Sequence, residues 1–405
     1  MMNYVSYEAT LQEQLNELKT TKRPIVLFGT MDMALFGKQV IDFLKLKITC
    51  FVDNDCTKWG RIIDEIPVLS PEDVEKLYPD AKIYVCSFQN KSIKEIMQQL
   101  HKMNFQDAYN CDMLFYLYQL GVRKRPISGS DLAKTLYILG HRENKTIVCN
   151  ANFFITEKCT LNCRDCSTFV PYYKTPCNHN KEIIIESIKM LSKSVDAIER
   201  VTILGGETFL HSDLVEICEA VSNLPNVGYI TITTNGTIVP KLCVIESLSK
   251  HITYFNISNY GKLSTKKQEL ISMLTEYNIP YIMLQENAEW YKFGPPKKHN
   301  RALNENDDIF KSCKWLTCSW IISGVYYACP FLAHSSAFKL IPELESDCVN
   351  LLDTSLTSEE KKQKMKDYLT KTNCLTACDY CNFFYEIPVP RALQAVGKLQ
   401  FDEEE

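Results

Sequence analysis

No stretch of this 405-residue chain approaches the ~18 consecutive apolar residues of a membrane-spanning helix. The first twenty residues, MMNYVSYEATLQEQLNELKT, carry both charge signs and good helix formers but no apolar core, so they do not read as a signal peptide. Charge of one sign is scarce as well. Lys plus Arg number 45 against 49 Asp plus Glu, and the formal net charge of -4 leaves no electrostatic footprint for nucleic acid. The short basic stretch PPKKHNR at 295–301 reads as a solvated loop. These absences predict a soluble, cytoplasmic protein with no nucleic-acid and no membrane partner.

Cysteine is abundant. Eighteen cysteines in a chain without an export signal point away from disulfides and toward metal or thiol chemistry in a reducing compartment. Three of them, Cys159, Cys163 and Cys166, stand in the spacing C-x3-C-x2-C directly after the apolar run at 152–156, which reads as a strand. Three thiolates this close can hold one metal centre. A zinc site would need a fourth protein ligand, whereas a 4Fe-4S cluster held by three cysteines leaves one iron open. A structural zinc knuckle and three unrelated thiols are the competing readings.

The spacing is followed by Gly205-Gly206-Glu207 at the end of the run VTIL and by Thr234-Asn235-Gly236 at the end of YITIT. Over residues 151 to about 285 this pattern resembles the radical S-adenosylmethionine (SAM) enzymes. The resemblance implies that Cys159, Cys163 and Cys166 hold a 4Fe-4S cluster whose open iron is chelated by SAM. One electron then splits SAM into methionine and a 5'-deoxyadenosyl radical, which takes a hydrogen atom from a substrate. It also implies an external one-electron donor such as flavodoxin or ferredoxin. Gly205, Gly206 and Glu207 would meet the SAM amino group, with carboxylate or carbonyls accepting from the ammonium. Thr234, Asn235 and Ser258 would serve ribose and carboxylate, although Asn-Gly is equally a favoured turn pair. One position departs from the pattern: Asp165 stands before the third cysteine, where an aromatic residue usually helps to cradle the adenine.

The expected fold class is α/β, a partial (βα)6 TIM-like barrel with an N-terminal Rossmann-like domain and a small C-terminal auxiliary-cluster domain. A helix over 7–20 carries Leu11, Leu15 and Leu18 on one side. Strands at 25–28, 48–53 and 82–87 with intervening helices then make the Rossmann-like domain, residues 1–125. Gly29 and Asp53 fit a dinucleotide fingerprint, but Met31 replaces its second glycine, so a nicotinamide cofactor is not expected. Asp53 would contact a hydroxyl of any nucleotide sugar bound there. Residues 126–150 read as a linker. The barrel, 151–305, has strands at 152–156, 201–204, 229–233, 253–257 and 281–284, with helices at about 181–194, 212–222, 240–249 and 264–276. Its sixth strand cannot be placed from sequence.

Residues 306–405 resemble SPASM and Twitch auxiliary-cluster domains, through the recurrence Cys313, Gly324, Cys329 and the later Cys378-Asp379-Tyr380-Cys381. A hairpin turning at Ser323-Gly324 would bring Cys318 and Cys329 together. The resemblance implies a second, auxiliary 4Fe-4S cluster on Cys329, Cys378 and Cys381 plus either Cys313 or Cys318, with tetrahedral zinc as the alternative. Cys374 is a further candidate. Cys50, Cys56, Cys86, Cys111, Cys149, Cys218 and Cys243 read as buried small hydrophobes, Cys177 as a loop thiol, and the tail FDEEE as a solvated end. The expected function is radical modification of a small-molecule substrate, with a sugar or nucleotide sugar favoured. A peptide-modifying radical SAM enzyme and a non-catalytic iron-sulfur redox-sensing or binding protein are the alternatives.

Overall fold

The computed structural model describes residues 13–87, 90–105, 107–110, 112–122, 145–284, 290–292, 295–313, 315, 318–342, 344–382 and 388–401. Leu11, Cys111, most of the 126–150 stretch and the final acidic residues lie outside them. The described residues before 134, together with Leu274–Met283, form one compact unit, and the others form a second. No helix among the described residues is long and apolar enough to cross a membrane.

In the first unit, a helix over 13–20 buries Leu15 and Leu18. Strands β1 (Ile25–Phe28), β2 (Cys50–Val52), β3 (Ile62–Ile63), β4 (Ile66–Leu69), β5 (Lys82–Val85) and β6 (Ala108–Asn110) follow. They make one sheet in the order β3-β4-β2-β1-β5-β6, parallel throughout except for β3 against β4. The buried strands β1, β2 and β5 are apolar runs rather than alternating ones, as strands covered on both faces require. β4 and β6 were not expected. Pro67 makes β4 look like a lead into the next helix, but it faces Ile62 of β3, and the β2 ladder uses only Val68 and Leu69. Asp53, just past β2, accepts from Thr30 Oγ1 at 2.6 Å, Lys58 Nζ at 2.8 Å and Asp55 N at 3.0 Å. Burial opposes its charge, but these bonds outweigh that and hold its carboxyl below the ordinary value.

The second unit contains β7 (Ile147–Val148), β8 (Ala151–Phe154), β9 (Ala197–Leu204), β10 (Val227–Thr234) and β11 (Tyr254–Ile257). The strand β12 (Tyr281–Met283) falls where the sequence pattern puts the fifth barrel strand, but it groups with the first unit. Later come β13 (Trp290–Tyr291), β14 (Ser319–Ile322), β15 (Val325–Tyr327), β16 (Val349–Asn350) and β17 (Pro388–Val389). The helices Lys181–Ser194, Leu214–Ser222, Leu242–Leu248 and Lys267–Glu276 alternate with the strands as the sequence pattern requires. The sheet runs β11-β10-β9-β8-β14-β15-β16, with parallel neighbours from β11 to β14. This is the parallel α/β sheet expected of a partial barrel.

Three expectations are corrected here. Ser319–Ile322, assigned by sequence to a separate C-terminal domain, pairs in parallel with β8, so the sheet crosses the boundary drawn at 305/306. All four of its residues are buried, as a strand with neighbours on both sides must be. The described end of the supposed linker is also in the sheet, because Ile147 and Val148 pair with Ala197 and Ile198 of β9. Finally, Cys56 and Cys243 are exposed rather than buried, in contrast to Cys50, Cys86 and Cys218.

Strand register sorts the side chains of the sheet. Asn152, Thr202, Thr231, Tyr254 and Trp320 stand abreast on one face, and Phe153, Ile203, Ile232, Phe255 and Ile321 on the other. The second set is wholly apolar and buried. On the first, Thr202 Oγ1 donates to Asn150 Oδ1 at 3.0 Å, Thr231 Oγ1 to Thr202 Oγ1 at 3.2 Å, and Arg200 Nε to Asn150 Oδ1 at 3.1 Å.

Candidate active site

Cys159, Cys163 and Cys166 occupy the loop that leaves the carboxyl end of β8, where parallel α/β sheets place their reactive groups. The loop is braced from β9. Ile155 N donates to Leu204 O at 2.8 Å, Gly206 N to Thr156 O at 2.8 Å and Glu207 N to Lys158 O at 2.7 Å. This close crossing explains the two glycines. A Cβ on Gly205 would stand 2.6 Å from Thr156 O, and one on Gly206 would meet the Lys158 carbonyl and come within 2.8 Å of Cys159 Cβ. The glycines expected to admit a ligand therefore also admit the cysteine loop itself.

Glu207 is fully buried. Its carboxylate accepts from Thr234 Oγ1 at 2.9 and 3.1 Å, from Asn235 N at 2.8 Å and from Phe209 N at 3.1 Å. Burial raises its pKa even against these donors. Of the two acceptor types expected at Gly205–Glu207, the carboxylate is thus already engaged in tying the end of β9 to that of β10.

Asn235 faces the cysteine loop. Its Nδ2 lies 3.0 Å from Thr160 Oγ1 and 3.5 Å from Cys159 Sγ, while its Oδ1 accepts from Thr237 N at 3.0 Å and Thr237 Oγ1 at 2.6 Å. Gly236 follows in the left-handed region at φ +70. Ser258 N donates to Thr234 O at 2.8 Å, and Ser264 Oγ bridges Asn235 O at 2.7 Å and Ser258 O at 3.1 Å. Thus Thr234, Asn235 and Ser258 stand at adjacent strand ends, next to one another and, through Asn235, next to Cys159.

Burial pushes the Cys159 thiol up to about 12, and Cys166, Glu207 and Cys163 add to the effect. Cys163 is pushed up to about 11 by burial and by Cys166, with Gln394 acting the other way. Cys159 and Cys163, both raised by burial and by the neighbouring Cys166, resist ionisation unless a cation joins them, which is the electrostatic requirement of a thiolate metal site. The donor set therefore fits an iron-sulfur cluster in its chemistry. Among the described residues, no three His, Cys, Asp or Glu side chains already stand at closed metal-ligand spacing.

Asp165, at the position of the expected aromatic, is buried and accepts from Arg164 Nε at 2.9 Å. An aromatic does approach the loop from elsewhere. Burial pushes the Tyr260 hydroxyl up to about 12, Ser258 lowers it, and Cys163 and Cys166 raise it further. Its ring stacks on Trp290 at 5.6 Å, with the Arg391 guanidinium 5.1 Å from the ring centre.

The C-terminal cysteines separate into two environments. Cys329, at the start of the helix Pro330–Ala337, is pushed well up by burial, with Cys381, Cys313 and Cys378 contributing. Cys378 is pushed up to about 12 by burial, with Cys374, Cys381 and Cys313 contributing. Arg301 clamps this group, its guanidinium donating to Cys378 O at 2.9 Å and Cys381 O at 3.2 Å. The stretch 295–301, read as a solvated loop, is therefore anchored at its end, and His299 N likewise donates to Asp379 O at 2.9 Å. The hairpin at Ser323-Gly324 is present. Cys318, however, lies in the polar network of the sheet, where its sulfur accepts from Asn152 Nδ2 at 3.2 Å and faces Arg200.

Residues near the C-terminus reach the first cysteine loop and were not foreseen. Gln394 Nε2 donates to Cys163 Sγ at 3.3 Å, and Phe401, read as part of a solvated tail, stacks on Tyr172 at 4.0 Å. Some 230 residues separate Gln394 from the motif, and no local spacing signals such a partner.

Residues 153–258 match the family model described as the Radical SAM superfamily. The chain is 32% identical over 127 residues to GTP 3',8-cyclase from Clostridium acetobutylicum, covering 31% of this chain and 37% of that protein. It is 33% identical over 110 residues to GTP 3',8-cyclase from Listeria monocytogenes, covering 26% and 31%. The chain thus spans about a third of the length of these curated relatives. A solved structure described as BtrN in complex with AdoMet and 2-DOIA aligns at a TM-score of 0.38 and 14% identity, over 61% of this chain and 96% of that one.

Proposed function

We propose that this chain, which carries a radical SAM domain over residues 153–258, is an enzyme that cleaves SAM reductively and abstracts hydrogen from a small-molecule substrate. Cys159, Cys163 and Cys166 would hold a 4Fe-4S cluster. When bound, the cluster supplies the electron that splits SAM into methionine and the 5'-deoxyadenosyl radical. The observation that carries the reading is the bracket in which Glu207 joins β9 to β10 and Asn235 reaches Cys159. It fixes the cysteine loop against two strand ends, beside which a ligand would be oriented.

The residues take these roles. The carbonyls of Gly205–Glu207 accept from an ammonium, while the Glu207 carboxylate acts from behind as a brace. Thr234, also bonded to Glu207, shares that bracing role, and Asn235 and Ser258 line the ribose and carboxylate side. Cys313, Cys329, Cys378 and Cys381 would hold a second 4Fe-4S cluster, a choice supported by their mutual effect on Cys329 and by the separate environment of Cys318. Such a cluster would transfer electrons, and an external flavodoxin or ferredoxin would supply the first one.

For the substrate, our reading is a sugar or nucleotide sugar. A second reading, GTP, is favoured by the activity for which the relatives from Clostridium acetobutylicum and Listeria monocytogenes are named. The test is anaerobic reconstitution with iron and sulfide, followed by incubation with SAM, dithionite and either a panel of nucleotide sugars or GTP. The expected result is 5'-deoxyadenosine formation that one panel member accelerates and that Cys163→Ala abolishes. Unchanged SAM cleavage in that variant would overturn the assignment.

A further inference from the structure

The last described segment of the chain lies along the first cysteine loop and hydrogen-bonds to it in sequence. Arg164 N donates to Leu393 O at 2.7 Å and Ala395 N to Asn162 O at 2.7 Å, so that Cys163 and Gln394 face each other as an antiparallel bridge. Asn162 Nδ2 donates to Ala395 O at 3.0 Å and Gly397 O at 2.6 Å. Leu399 N donates to Pro171 O at 3.0 Å. Phe401 closes the run by stacking on Tyr172 and meeting Phe169 edge-on at 5.7 Å.

Within this strap, the Gln394 amide has one consistent orientation. Its Oε1 accepts from Asn162 N at 2.7 Å, and its Nε2 donates to Ala392 O at 2.7 Å and Cys163 Sγ at 3.3 Å. Reversing the amide would set oxygen against the Ala392 carbonyl and nitrogen against the Asn162 N–H, losing all three bonds. A side chain held this firmly keeps an N–H aimed at a sulfur that the proposed function assigns to a cluster.

We propose that Gln394 is a positioning residue whose N–H to Cys163 sets the reduction potential of the central cluster, and that the strap delivers it. This rests on the assignment of Cys159, Cys163 and Cys166 as cluster ligands. Hydrogen bonds to cluster sulfurs withdraw electron density and favour the reduced state, so their number and direction tune the potential. A strap residue also makes cluster chemistry depend on the docking of a distant part of the chain, which is a means to keep a partly assembled protein from cleaving SAM.

The test uses the full chain and two variants. Gln394→Met keeps the length and loses the donor. Gln394→Glu keeps length and polarity but turns a carboxylate oxygen toward the sulfur. After anaerobic reconstitution, iron content is measured and the SAM-responsive electron paramagnetic resonance signal is titrated against potential. Gln394→Met is expected to hold parental iron with a midpoint lowered by a tenfold change in the reduction equilibrium, about 59 mV for one electron. Gln394→Glu is expected to lie lower still, and it carries the test if the Met variant loses iron. Trypsin cleavage after Arg391 reports whether the strap stays docked, a readout that a purely structural role would move while leaving the midpoint unchanged. Parental midpoints in both variants would overturn the proposal and leave the cluster assignment standing. A parent chain that shows no SAM-responsive signal would overturn both.

Discussion

The Glu207 carboxylate accepts the backbone N–H of Asn235 at 2.8 Å, and this bond connects two strand ends that are 28 residues apart in the chain. A buried carboxylate here satisfies donors that the turn after β10 would otherwise leave unpaired. Because the Asn235 side chain in turn meets Thr160 and Cys159, the same bond holds the cysteine loop from below.

The first prediction follows from that bond. Glu207→Ala strands Asn235 N, Phe209 N and Thr234 Oγ1 in a buried site, which should cost at least about 3 kcal/mol, at roughly 1–3 kcal/mol for each unsatisfied buried group. The denaturant midpoint should fall accordingly, with reduced iron uptake. The sign of the pH effect is also fixed. Burial raises the Glu207 pKa in the folded state, so its contribution to stability grows as pH falls through that value and is lost as pH rises. Glu207→Gln should flatten this dependence, and a steeper slope in the Gln variant would contradict the burial argument.

Gly206 supplies the second. The Cβ of an alanine there would come within 2.8 Å of Cys159 Cβ and press on the Lys158 carbonyl, and neither backbone nor Cβ can rotate away. Overpacking of this kind costs about 1–3 kcal/mol, taken up by displacement of the cysteine loop. Gly206→Ala should therefore lose the SAM-responsive cluster while far-ultraviolet circular dichroism stays parental. Full cluster loading in this variant would show that the loop tolerates the shift.

The separation of the C-terminal cysteines gives a third. If Cys313, Cys329, Cys378 and Cys381 hold a cluster, the reconstituted chain should contain about eight irons, four in each cluster. Cys378→Ala should then retain about four, and Cys318→Ala all of them, because Asn152 Nδ2 keeps its bond to Ser319 O at 2.9 Å. Stoichiometric zinc in place of the second set of irons would replace the auxiliary cluster by a structural zinc site.

What the sequence reveals follows the range of the forces involved. The alternation of apolar runs and amphipathic stretches locates β8 to β11 and their helices, because burial imposes its period locally. Cysteine spacing is local too, so the loop at 159–166 is visible. The strand Ser319–Ile322 looks like half of a hairpin, which it is, but its other edge pairs in parallel with residues more than 160 positions away. Glu207 reads as a ligand, since a carboxylate after two glycines gives no sign of the donors folded around it. Gln394 is invisible for the same reason: its importance lies in partners brought together by tertiary structure.

The last prediction concerns His334, which is fully buried with neither ring nitrogen hydrogen-bonded. It stands edge-on to Phe154 at 4.9 Å and to Trp320 at 4.6 Å. Burial, with His179 adding to it, pushes its pKa down to about 3. The unfolded chain binds a proton near the ordinary histidine value of about 6.5, while the folded chain does so only far below it. Stability is thus unaffected by this group above that value and falls as pH drops from about 6.5 toward 3, by about 1.4 kcal/mol for each pH unit. At pH 5 the loss should be roughly 2 kcal/mol relative to pH 7. His334→Phe keeps a ring of similar size against Phe154 and Trp320 and removes the titrating group. Its denaturant midpoint should decline less between pH 7 and pH 5 than that of the parent. Parallel declines would mean that His334 is protonated or solvated in the folded protein, contrary to its burial.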